Sequence, residues 1–84
     1  MKKEPSPQRA KQTDSRWLSI VGSNIQLQRK LAGLTQEELA EAADLAPRTI
    51  QKIEAGAITI LISTLRRIRR AIGCSYEVLL AEEK

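Results

Sequence analysis

Pro47, Arg48, Gln51 and Lys52 are side chains of types that read the edges of base pairs, and helical spacing puts them on one side of a helix. A guanidinium such as Arg48 can grip guanine O6 and N7 together. Lys52 lies one turn further on, Gln51 flanks it, and Pro47 offers an apolar contact suited to a thymine methyl. Thr35, Gln36 and Thr49 carry donors suited to phosphate oxygens. Other chemistries lack their parts. There is no histidine and one cysteine, Cys74, which excludes an intrachain disulfide and leaves metal binding and Ser/Cys–His nucleophilic catalysis without side chains. No enzyme and no cofactor is expected.

Two short helices must position these groups. Thr35 begins the first, with Glu38 three residues on to complete a capping box, and Glu37 and Glu38 suit the positive end of the helix dipole. Leu39, Ala40 and Ala43 point inward, and Ala40 is small where the two helices cross. The next helix opens on Pro47, whose missing N–H costs nothing in the first turn. It buries Ile50 and Ile53 and stops at Gly56. Such a pair joined by a tight turn is a helix-turn-helix, in which the second helix enters the major groove of DNA.

The rest of the 84 residues reads as all-α. Apolar periodicity starts a helix near Arg16 or Trp17, capped by Ser15 or Asp14, with Leu18, Val21, Ile25 and Ala32 on its core face and Gly33 after its end. A fourth helix is predicted from about Ile60 to Ile72, with Thr59 as cap and Ile62, Leu65, Ile68 and Ile72 as anchors. Ser75 caps a short fifth helix whose apolar side is Tyr76, Leu79 and Leu80. The expected organisation is a disordered basic arm over residues 1–15 and a compact five-helix domain over 16–84. Residues 1–16 hold five cations against two acids, whereas residues 17–84 hold nine against eight. A basic arm suits nucleic acid or an acidic partner. No apolar run is long enough for a membrane span, and with no secretory segment a reducing cytoplasm is the expected home.

The stretch from about Ile20 to Leu80 resembles the phage-repressor class of helix-turn-helix domains, the Cro/cI-like or XRE-type family. The resemblance rests on a linked set: Gln36, Leu39 and Ala40; Leu45, Ile50, Ile53 and Glu54; Gly56, Leu65, Ile68 and Gly73. It implies a five-helix bundle whose third helix reads DNA, with Gln36 near a phosphate and a partly buried ion pair between Arg29 and Glu54. It also implies a homodimer, for which Ile58, Ile60, Tyr76, Val78 and Leu79 are the expected apolar surface. Four positions depart from the family pattern. Asp44 stands at a turn position that is often Gly. Ala46 replaces a Ser or Thr cap, Gln28 replaces an apolar residue, and the loop from Ala57 to Ile60 is apolar where polar or basic groups are common.

The function expected is a sequence-specific transcriptional regulator of double-stranded DNA, a repressor acting as a dimer on a two-fold operator. Two alternatives accompany it: an antitoxin-type regulator that also clasps a toxin protein, and a protein-interaction module that has lost DNA binding. A protein partner would be a toxin or a polymerase. Arg66, Arg67, Arg69 and Arg70 fan over the solvent side of the fourth helix. Trp17, Ile20, Leu27 and Leu31 form a second stripe on the first helix, expected to pack against the fifth, and Cys74 is core filling.

Overall fold

Ile25, Leu39, Ile50, Ile68 and Leu79 are wholly buried, with Val21 and Ile53 nearly so, and five helices are arranged to cover them. The computed structural model describes residues 7–82, with side chains from residue 14 onward. The helices are α1 (Pro7–Leu31), α2 (Gln36–Ala43), α3 (Pro47–Glu54), α4 (Ile62–Ile72) and α5 (Tyr76–Leu80). α2 packs against α3 and α4, while α1 packs against α3 and α5. The five-helix all-α fold is the one the periodicity predicts.

α1 starts at Pro7 rather than near Arg16, so the arm expected over residues 1–15 is helical from Pro7 onward. Proline fits the first helical position, and Gln8, Arg9, Ala10, Lys11 and Gln12 are good helix formers with no breaker among them. Apolar periodicity marks only the part of a helix that packs, which is why it misses this extension. Residues 1–6 and 83–84 lie outside the described residues.

Two glycines let α1 approach the end of α3. A Cβ on Gly22 would lie 2.8 Å from the Glu54 carbonyl oxygen and closer still to that of Ile53. Gly56 takes a φ of +71°, and a Cβ there would come within 2.7 Å of Ser19 Cα. The last turn of α3 is thereby seated on α1 by direct backbone contact. Between the two helices of the motif Asp44 adopts φ 59°, ψ 51°, the left-handed conformation that turns α2 into α3 and that Asp adopts more readily than most residues.

Several expected core positions are exposed. α4 begins at Ile62 with Leu61 as an uncapped N-cap, so neither a start at Ile60 nor a Thr59 cap is formed. Ile62 is 82 % exposed. Burial of Thr64, Leu65 and Ile68 centres the face near Ile68, and Ile62 lies about 120° from it. Ala32 is exposed because α1 has already ended at Leu31. Leu27 and Leu31 are 54 % and 72 % exposed and do not pack against α5. The stripe from Trp17 to Leu31 runs about 21 Å, whereas five-residue α5 is about 8 Å long and too short to cover it. Cys74 is half-buried against the core, and burial pushes its thiol pKa up. No described helix is long and apolar enough to cross a membrane.

Candidate nucleic-acid interface

α3 divides cleanly into two faces. Ile50 and Ile53 are sealed against α1 and α2, while Pro47, Arg48, Gln51 and Lys52 are exposed and Thr49 is half-buried beside them. Among the described residues neither Arg48 nor Lys52 makes an ion pair, so both charges face solvent. Ala46 provides no side-chain cap. Pro47 has no N–H and Thr49 donates back to the Ala46 carbonyl at 2.9 Å, which leaves the Arg48 N–H as the open donor of this first turn.

The start of α2 is built more tightly. Thr35 Oγ1 accepts from the Glu38 N–H at 3.0 Å, and Glu38 Oε1 accepts from the Thr35 N–H at 2.9 Å, closing the capping box. The Thr35 O–H remains a donor.

Arg29 and Glu54 lie behind this surface and are both buried. Arg29 Nε donates to Glu54 Oε2 at 2.7 Å and one terminal nitrogen donates to Oε1 at 3.0 Å, a bidentate pair. The other terminal nitrogen donates to the Leu34 carbonyl at 2.8 Å. Gln36 Nε2 also donates to Glu54 Oε1, at 3.0 Å. The bond from Glu54 raises the Arg29 pKa against the opposing effect of burial. One carboxylate therefore ties together α1, the start of α2 and the end of α3, the elements whose relative placement sets the presented surface.

The surface expected for self-association is only partly presented. Leu79 is wholly buried in the protomer and is removed from that set, because it is the residue through which α5 reaches the core. Ile58 and Ile60 are half-buried against the core, whereas Tyr76 and Val78 remain 41 % and 39 % exposed. Arg69 lies over the Tyr76 ring at 4.7 Å and donates to the Cys74 carbonyl. Arg66, Arg67 and Arg70 are exposed, and Arg67 reaches the Asp44 carbonyl at 3.4 Å.

A helix-turn-helix family model matches residues 25–79, a span that includes α2, the Asp44 turn, α3 and the Arg29–Glu54 pair. The chain belongs to the helix-turn-helix family. An uncharacterized HTH-type transcriptional regulator, y4mF, of Sinorhizobium fredii (strain NBRC 101917 / NGR234) is 33 % identical over 64 residues, covering 76 % of this chain and 84 % of that protein. The crystal structure of the restriction-modification controller protein C.AhdI from Aeromonas hydrophila superposes with a TM-score of 0.71 at 22 % identity, over 74 % of this chain and 94 % of that one, a likeness of fold. This helix-turn-helix chain is a DNA-binding transcriptional regulator.

Sequence reasoning missed Gly22, Asn24 and the Gln36–Glu54 bond. A glycine within a helix is a signal for close approach that could have pointed to Gly22. No comparable signal marks Asn24 or the amide of Gln36, whose partners are distant in the chain.

Proposed function

We propose that this helix-turn-helix protein is a sequence-specific repressor that binds double-stranded DNA as a dimer on a two-fold operator. The observation that carries this reading is the division of α3, with Arg48, Gln51, Lys52 and Pro47 exposed together opposite the sealed Ile50 and Ile53. Arg48 is the principal base reader, with Lys52, Gln51 and Pro47 beside it. Thr35, Gln36 and Thr49 hold the backbone through phosphate oxygens, with Gln36 and Thr35 at the start of α2, where the helix dipole also favours an anion.

Dimerisation is supported by the exposed Tyr76 and Val78 of α5, and by Leu61 and Ile62, which leave further apolar surface uncovered at the start of α4. A two-fold pair would set its recognition helices about 34 Å apart, one turn of DNA. Repression follows where the operator overlaps a polymerase site. Selection of bound fragments from a random DNA pool tests the reading: two inverted half-sites centred about one helical turn apart are expected. Recovery of single, asymmetric sites would remove the dimer, and recovery of no enriched sequence would remove specific recognition.

A further inference from the structure

Glu54 does more than neutralise Arg29. Both its oxygens accept from Arg29, which fixes the plane of the carboxylate, and Oε1 accepts in addition from Gln36 Nε2 at 3.0 Å. An ionised carboxylate can only accept hydrogen bonds, so the amide must turn its nitrogen toward Glu54 and its oxygen away. The opposite flip would set the amide oxygen against the carboxylate. Gln36 is half-buried, and among the described residues its amide makes no other hydrogen bond. One amide hydrogen is thus spent on Glu54 and the second is left for an external acceptor.

We propose that Glu54 is a positioning residue for DNA binding, orienting the Gln36 amide so that its second hydrogen meets a phosphate oxygen. This rests on the DNA reading above. A free glutamine on a helix surface samples several rotamers and both flips, and one flip offers a phosphate only another oxygen. Anchoring by Glu54 removes those states before DNA arrives, so less ordering is lost on binding. Arg29 acts at one remove, by holding the carboxylate.

The test is a double-mutant cycle on a duplex that the protein itself selects from a random pool, measured well below the melting temperature of every variant. Gln36→Ala should weaken binding about tenfold, by the same factor on selected and scrambled duplexes, as loss of a phosphate contact requires. Glu54→Gln should weaken it about three- to tenfold through the lost orientation. In the Gln36→Ala background Glu54→Gln should add almost nothing, because the group it orients is gone. Multiplication of the two effects would overturn the proposal.

The wild-type protein supplies a second measurement that does not depend on the variants folding. In the free protein the two Gln36 amide protons should differ in shift and exchange with water more slowly than those of exposed Gln51. Adding the selected duplex should move chiefly the proton that does not face Glu54. Gln36 protons that exchange as fast as those of Gln51 would sink the idea. A wild-type protein that selects no duplex is a different failure, that of the DNA reading, and takes this proposal with it.

Discussion

Asn24 Nδ2 donates to the carbonyl of Leu79 at 3.0 Å and to that of Ala81 at 2.8 Å, so one side chain of α1 closes the C-terminal end of α5. A five-residue helix is too short to persist alone. α5 is held by this clamp, by the Ser75 cap and by the burial of Leu79. Asn24→Ala should therefore cost about 1 kcal/mol of stability. Amide exchange should rise first in α5 and leave α2 and α3 protected. Uniform acceleration across all five helices would contradict a local clamp.

The Arg29–Glu54 pair makes a sharper stability prediction. Either Arg29→Ala or Glu54→Ala leaves a lone buried charge and should cost about 3–5 kcal/mol in denaturant unfolding. Replacing both by apolar residues of similar volume should recover much of that loss. The pH dependence follows from Arg29, whose pKa is raised on folding. Its contribution is fully present below the unfolded value and is lost only as pH rises through the folded one, in strong alkali. Titration of Arg29 should therefore leave stability flat through neutral pH.

Gly22→Ala tests the seating of α3. The added methyl meets the Ile53 and Glu54 carbonyls rather than a movable side chain, so α1 and α3 must separate. Strain of about 1–3 kcal/mol is expected, read as a lower denaturation midpoint with an unchanged slope. The gain in helix propensity of Ala over Gly, at most about 1 kcal/mol, works in the opposite direction and is outweighed.

Arg48→Ala should cost about 1–3 kcal/mol on the selected operator and relax preference at one base position. The melting temperature should hardly change, since Arg48 is exposed and makes no ion pair among the described residues. An equal loss on random DNA would make Arg48 a phosphate contact instead.

Val78→Glu addresses the dimer. Val78 is 39 % exposed, so a carboxylate there can remain solvated in the monomer but not within an apolar interface. Sedimentation should show the wild type as a dimer at tens of micromolar, a range set by typical weak self-association, and the variant as a monomer with near-normal helix content. Unchanged sedimentation would place the interface elsewhere.

Much of this protein was written in local sequence. Thr35 with Glu38, Pro47, Gly56, and the spacing of Leu39, Ile50 and Ile53 determined the two helices, their caps and the face each buries, because all of these are interactions within a few residues of chain. The outward set of Arg48, Gln51 and Lys52 follows from the same periodicity. Tertiary structure decided what depends on distant partners. It placed Leu79 in the core rather than on the surface, and it left Leu27, Leu31 and Ile62 uncovered because the neighbouring helices are too short or lie on another side. Sequence pattern marks an apolar stripe but not the length of whatever covers it. Likewise the position of Gln36 at the start of a helix marked it as a candidate phosphate donor. The direction its amide faces was decided only when α3 folded back to set Glu54 beside it, because a hydrogen bond between groups 18 residues apart has no local signature.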